Sequence, residues 1–286
     1  MKLIDYLEKQ VQSSTAKSYG NHIENYLKAN KNAHKYDYAK VMQHIELLRK
    51  QYQVGTIQII IASLKKYYDY LIEIGKRKDN PVNAIKLRDN QEKPIQLQDL
   101  LTQKELETLL VPRKERYPFL AKRNQIVMSL LVHQALRVGE LEKLKILDVD
   151  LEKATIQITG TGLTNTRNLP LNASQILLFH QYIQHDRKQL TTWRDNQNAL
   201  LLGKLGTPIK KENINYLVAT YKSGYNKKIT ATLIRQSVIA NLLTKNNDLR
   251  VVQHFAGHKS PDTTEKYRQT GLNALKVAIN KLHPIQ

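Results

Sequence analysis

The feature that most constrains this chain is a break in periodicity followed by an abrupt restart. Residues 89–101 (DNQEKPIQLQDLL) are polar, contain Pro94 and repeat at neither helix nor strand spacing. Directly after them, Thr102-Gln103-Lys104-Glu105 has the form of a capping box, in which a threonine hydroxyl accepts a first-turn amide and a glutamate reaches back. Leu101 and Leu106 stand where a hydrophobic staple would hold the entry to that helix. Such punctuation predicts two bodies, residues 1–88 and 102–286, joined by a linker at 89–101. A length of 286 residues leaves each enough chain for its own core.

The first body reads as all helix. Tyr19, Ile23, Tyr26 and Leu27 recur at helical spacing, as do Val41, Ile45 and Leu48, then Ile57, Ile60, Leu64, Tyr67 and Leu71. Gly75 closes the last run, and Asn80-Pro81 forces a turn. This body carries 16 basic and 8 acidic side chains, a net of +8, which suits clamping along phosphates or simply a solvated helical surface. Over the whole chain 45 basic residues face 25 acidic ones, for a charge of +20. That excess implies a polyanionic partner, nucleic acid first and an anionic membrane surface second. No apolar run nears the ~20 residues of a membrane span. The opening MKLIDYLEKQ carries Asp5 and Glu8 and does not read as a signal peptide. The absence of cysteine excludes disulfides, Cys-type zinc sites and thiol catalysis. The expectation is a soluble, cytoplasmic DNA or RNA protein with no membrane partner.

The second body mixes elements. Residues 123–135 form a helix with an apolar stripe through Ile126, Leu130 and Leu131, and Leu136-Arg137-Val138-Gly139-Glu140-Leu141 turns into a short one. Residues 154–159 alternate as a strand, Gly160-Thr161-Gly162 turns it, and 165–171 return as the second arm of a hairpin. A helix at 176–190, a short buried strand at 200–202, and helices at 213–221, 230–244 and 248–255 follow. The tail bears a narrow apolar seam, Leu272, Leu275, Ile279 and Leu282, which either docks on a partner or folds back on its own domain.

Between these last helices and the tail lies a compressed stop and start, Gly-His-Lys-Ser-Pro-Asp-Thr-Thr-Glu-Lys-Tyr, from Gly257 to Tyr267. Gly257 suits the left-handed residue that ends a helix. Ser260 suits an N-cap, Pro261 the first helical position, and Asp262 the positive end of the helix dipole. His258 then stands in the loop and Tyr267 about two turns along the new helix. The pair fits a hydrogen-bond donor and a nucleophile; it fits a surface histidine and a core tyrosine equally well.

Arg137, Arg235, Gly257-His258 and Tyr267, in this order and on these elements, resemble the tyrosine recombinase (phage integrase) family over almost the whole chain. Ala135-Leu136-Arg137-Val138-Gly139-Glu140-Leu141 is similar to that family's first arginine box, and the nine-residue step from His258 to Tyr267 matches its last. Tyr70-Leu71, Gly75 and Asn80-Pro81 resemble the end of its helical core-binding domain, and Asn168-Leu169-Pro170-Leu171 the end of its hairpin. The resemblance implies a mainly α protein: an N-terminal SAM-like, DNA-clamping domain and a mixed α/β catalytic domain with a small β-hairpin sheet.

The implied chemistry is phosphoryl transfer. Tyr267 would attack a DNA phosphodiester and leave a 3′-phosphotyrosine and a free 5′-hydroxyl. Arg137 and Arg235 would clamp the non-bridging oxygens, and His258 would donate one more hydrogen bond. Because the covalent link conserves the bond energy, neither cofactor, ATP nor metal is needed. The implied partner is double-stranded DNA with inverted-repeat sites, bound by a homo-tetramer on paired sites with the C-terminal seam docking in trans, with a related recombinase or accessory protein as further candidates.

Two positions depart from the pattern. Thr232 stands where the family usually has the histidine of His-x-x-Arg, and Thr161 where it has a hairpin lysine; no lysine occurs from 154 to 171. That lysine is the family's general acid toward the leaving 5′-oxygen, and losing one positioned acid or base costs ~10²–10⁴-fold in rate. A third, milder change is Gln236 after the arginine. The hairpin loop also runs slightly long, so Thr164 competes with Thr161 for the lysine's place. Lys153 and Lys204 are substitutes on composition only. The alternative reading is a weakened or inactive relative that binds or bridges DNA.

Overall fold

The computed structural model describes residues 2–87, 89, 95, 99–162, 164–191, 198–221 and 225–268. The chain divides into two compact units, Met1–Lys93 and Pro94–Gln286.

In the second unit the capping box forms as its sequence predicts: Thr102 Oγ1 accepts from the Glu105 amide at 3.2 Å, and Glu105 Oε2 accepts from the Thr102 amide at 2.7 Å. Leu101 and Leu106 are both buried in one core. Leu100 and Leu101, which by sequence end the linker, are instead fastened to this unit. The Leu101 amide donates to Ser237 Oγ at 2.8 Å, and Lys227 Nζ donates to the Leu100 carbonyl at 2.6 Å. Their apolar side chains make them core once a wall stands beside them.

Helix α5 (Gln103–Thr108) leads to α6 (Ala121–His133), buried from Ile126 to Val132, and to the short α7 (Val138–Leu141). A three-stranded antiparallel sheet follows, in the order β1 (Val149–Asp150), β2 (Thr155–Ile158), β3 (Arg167–Pro170). Ile156 pairs with Leu169 and Ile158 with Arg167, and all four point inward. Then come α8 (Ala173–Gln181), α9 (Arg187–Thr191), α10 (Lys211–Ala219), α11 (Ala231–Thr244), α12 (Leu249–Ala256) and α13 (Pro261–Glu265).

Several expectations need correction. The hairpin has a third strand, β1, too short at two residues to show alternation. The helix expected at 176–190 is interrupted by a π turn at Tyr182–Asp186. There the buried Tyr182 hydroxyl donates to the Leu200 carbonyl at 3.1 Å and accepts from the Leu202 amide at 3.3 Å. Residues 200–202 are buried but form no named strand; Leu202 makes an isolated bridge to Pro208, and Leu200 and Leu201 hydrogen-bond the main chain of Leu144 and Ile209. Helix α6 stops at His133 because Ala135 turns left-handed, at φ +51°. Tyr267 lies two residues beyond the end of α13, not inside it. The seam from 272 to 282 lies outside the described residues. No described helix is long and apolar enough to cross a membrane.

Among the described residues the first unit holds four α-helices, α1 (Leu3–Gln10), α2 (Ser13–Ala29), α3 (Tyr38–Arg49) and α4 (Val54–Glu73), with a 3-10 turn at Ala33–Lys35. The core is built on α4, which buries Ile57, Ile60, Ile61, Leu64, Tyr67, Tyr68 and Leu71, and Gly75 ends the run at φ +71°. Two phenols are paired inside it. Tyr68 donates to the Ala33 carbonyl at 2.7 Å and accepts from the Tyr26 hydroxyl at 2.9 Å. Burial raises the pKa of both, so neither ionises in the physiological range. Tyr68→Phe strands a buried carbonyl and a buried hydroxyl at once. Denaturant unfolding should show it destabilised by about 1–3 kcal/mol, with Tyr52→Phe, at an exposed ring, within ~0.5 kcal/mol of wild type.

Candidate active site

The turn after α6 carries the first arginine. Arg137 caps the N-terminus of α7 with its backbone extended, and its amide donates to Glu140 Oε2 at 2.8 Å. Its side chain is exposed. The second arginine is interior. Arg235 lies on α11 at 6% exposure, and its Nη1 donates to the Ala135 carbonyl, two residues before Arg137. Its Nη2 donates to the Ala256 carbonyl at 2.6 Å and lies 3.0 Å from His258 Nε2. A single guanidinium thus touches the turn leading to Arg137 and the end of α12.

At that end Gly257 caps α12 at φ +67°, as its sequence predicts. A side chain there is excluded twice: the conformation is left-handed, and a Cβ would sit 2.5 Å from Arg167 Nη1. His258 follows at 3% exposure, with Nδ1 2.9 Å from Thr264 Oγ1 on α13. Its ring is parallel to that of Tyr267, tilted by 14°, with centroids 6.3 Å apart. Tyr267 shares an apolar cluster with Ile239 and Ala240 of α11 and Val252 and Ala256 of α12. The surface-histidine reading therefore fails, since both ring nitrogens have buried partners.

The hairpin tip leans on the same loop. Thr164 is 3% exposed and bridges His258 through main chain, and the Asn165 amide donates to the Gly257 carbonyl at 3.1 Å. Thr161 is exposed, its Oγ1 3.0 Å from Thr164 Oγ1. Of the two threonines that compete for the lysine's place, Thr164 is thus the one built into the loop and Thr161 the one facing outward. Thr232 is exposed in the first turn of α11. Neither lysine considered as a substitute belongs to the cluster: Lys153 pairs with Asp150 at 3.4 Å, and Lys204 lies 4.3 Å from the ring centre of Tyr117.

Two members of the cluster escape sequence reasoning. Arg167 and Glu140 form a bidentate ion pair, both contacts 3.0 Å, with side chains 0% and 3% exposed. Arg167 Nε also donates to the Phe255 carbonyl at 2.9 Å. The sequence does carry one signal: in Arg167-Asn168-Leu169-Pro170 the arginine shares the inward register of Leu169, which is unusual for a charge without a partner.

The charges set the titration of the site. Burial lowers the His258 pKa to about 4, helped by the positive fields of Arg235, Arg137 and Arg167. Burial and the neighbouring Arg137 lower Arg235 to about 10, which leaves it protonated at neutral pH. Burial raises Tyr267, against the opposing pull of Arg235, Arg137 and the Gln236 side chain. Burial also pushes Glu140 upward, but its bond to Arg167 outweighs this and the carboxylate stays ionised. The result is a strongly cationic cluster holding a neutral imidazole and a neutral phenol, an arrangement suited to an anionic phosphate ester.

Residues 99–272 match the phage integrase family. The chain is 27% identical to tyrosine recombinase XerD of Oceanobacillus iheyensis over 97% of this chain and 95% of that protein. With XerD of Listeria innocua the identity is 31% over 78% and 74% of the two chains. The crystal structure of XerH site-specific recombinase bound to a palindromic difH substrate, a post-cleavage complex, superposes with a TM-score of 0.69 at 22% identity, over 89% of this chain and 75% of that one. The chain belongs to the phage integrase family, with Xer-type tyrosine recombinases as its homologues, and its class of activity is site-specific DNA recombination.

The low pKa of His258 has a measurable consequence. A group whose folded pKa lies below its unfolded value binds more protons unfolded, so its contribution to stability is intact above ~6.5 and falls with pH through about 4. In denaturant titrations from pH 7 to 4, wild type should lose stability more steeply than His258→Gln, and equal slopes would contradict the assignment.

Proposed function

We propose that this chain cuts and rejoins DNA with Tyr267 as nucleophile. The Tyr267 oxygen attacks phosphorus, the bond from phosphorus to the 5′-oxygen breaks, and a 3′-phosphotyrosine forms while the phenol gives up its proton. The 5′-oxygen leaves as a hydroxyl once protonated, by a group other than a hairpin lysine. Arg137 and Arg235 hold the non-bridging oxygens as charge builds on them. Attack by another strand's 5′-hydroxyl reverses the step and completes exchange.

The observation that carries this reading is the convergence of Arg235, His258 and Tyr267, with the Arg137 charge acting on all three. Their sequence positions span 130 residues, and packing alone asks for no such set. The basic first unit serves as a clamp on the duplex, and residues 89–99 of the expected linker join it to the catalytic domain. A tetramer assembles on paired inverted-repeat sites in the cytoplasm.

The test uses DNA flanking the coding region, nicked near inverted repeats, and looks for an SDS-resistant protein–DNA adduct. Wild type should form it. Tyr267→Phe should form none while binding the same DNA within about twofold, and joining that survives the change would sink the assignment. Arg137→Ala and Arg235→Ala should slow adduct formation ~10²–10³-fold with far smaller effects on affinity.

A further inference from the structure

His258 touches two groups, and the chemistry of one decides the state of the other. Its Nε2 lies 3.0 Å from Arg235 Nη2, and a guanidinium has donors only. That nitrogen must therefore present a lone pair. A neutral imidazole with a bare Nε2 carries its proton on Nδ1, and Nδ1 lies 2.9 Å from the hydroxyl of Thr264, a residue with no solvent exposure. The opposite tautomer would set an N–H against the guanidinium N–H groups. Rotating the ring by half a turn would put carbons where both nitrogens now have partners. Thr264 sits in the last turn of α13, and the backbone of His258 is anchored separately, its amide donating to the Gln253 carbonyl at 3.0 Å. The ring's position and its proton are thus set by different contacts.

We propose that Thr264 is a positioning residue: its hydroxyl accepts from His258 Nδ1–H and so presents Nε2 as the acceptor that holds the Arg235 guanidinium in place. By sequence alone Thr264 is one of several polar residues in a helix start. Its effect on turnover rests on the reading of Arg235 and His258 given above; its effect on the imidazole does not. While this contact lasts, Nε2 accepts from Arg235, and a hydrogen bond from it to a phosphate requires that it first gain a proton. The phosphate would meet a guanidinium already oriented by the ring behind it, with no rearrangement needed on binding.

The experiment is nitrogen NMR of the full-length protein with labelled histidine, with the His258 signals assigned by difference against His258→Gln. Wild type should show His258 as a single Nδ1–H tautomer at neutral pH. Thr264→Val keeps the shape and removes the hydroxyl; it should abolish that single form and slow adduct formation about tenfold or more, with DNA affinity within about twofold. Thr264→Ser should restore both, and its recovery separates a lost hydroxyl from a misfolded helix. An Nε2–H or doubly protonated His258 in wild type, or an unchanged tautomer in Thr264→Val, would overturn the proposal. A changed tautomer with an unchanged rate would uphold the Thr264 lock and overturn the catalytic reading of His258 and Arg235 instead.

Discussion

One buried ion pair holds this site together. Arg167 reaches from β3 to Glu140 in α7 and to the Phe255 carbonyl in α12, so a single guanidinium joins the hairpin, the Arg137 turn and the helix that delivers His258. Glu140 in turn holds the Arg137 amide. Gly257 is confined by the same side chain, since the space for a Cβ is taken by the arginine. Buried pairs of this kind contribute little to net stability, yet removing one partner alone costs about 3–5 kcal/mol because the other charge is stranded. The pair is best understood as a fastening that fixes three loops relative to one another.

The same pair divides the electrostatic labour of the site. Arg167 is neutralised by Glu140, whereas Arg137 and Arg235 have no carboxylate bonded to their side chains among the described hydrogen bonds and salt bridges. Positive field is therefore left over where a phosphate would sit. Burial, helped by that field, keeps the imidazole neutral, and the field opposes the rise that burial imposes on the Tyr267 pKa. It also bears on the absent hairpin lysine. The tip residue Thr161 is turned outward, while Thr164 is spent on its contact with the His258 loop. Neither hydroxyl is a strong acid, so the proton for the leaving oxygen has to come from elsewhere.

Local chemistry is legible in the sequence, and long-range pairing is not. The Thr102 capping box, the left-handed Gly257 and the Ser260 cap depend on a few adjacent residues, and each forms as its spacing predicts. Arg137, Arg235, His258 and Tyr267 stand out by order and spacing. Arg167 is marked only by its inward register with Leu169, a faint sign in a chain of charge +20, where one more basic residue reads as surface. Its partner lies 27 positions away, and nothing local announces it. Thr264 is hidden for a similar reason, its role being set by a histidine ring brought to it by the turn. Leu101 is announced by its staple with Leu106, but Leu100 reads as linker because one apolar residue in a polar stretch gives no sign of the wall it packs on. Tyr267 falls beyond α13 because the helix ends at Glu265, a boundary that no glycine or proline marks.

The most direct test replaces the fastening without stranding a charge. In the double variant Arg167→Met, Glu140→Leu, apolar side chains of similar length fill the same buried space. Thermal unfolding and adduct formation on a nicked site would be measured side by side. Melting should fall less than in either single variant, because no charge is stranded even though the Arg137 amide and the Phe255 carbonyl lose their partners. Adduct formation should fall about 100-fold or more as the three loops lose register. A folded double variant that forms the adduct at the wild-type rate would contradict the central role of the pair, because the site would then be held by something else.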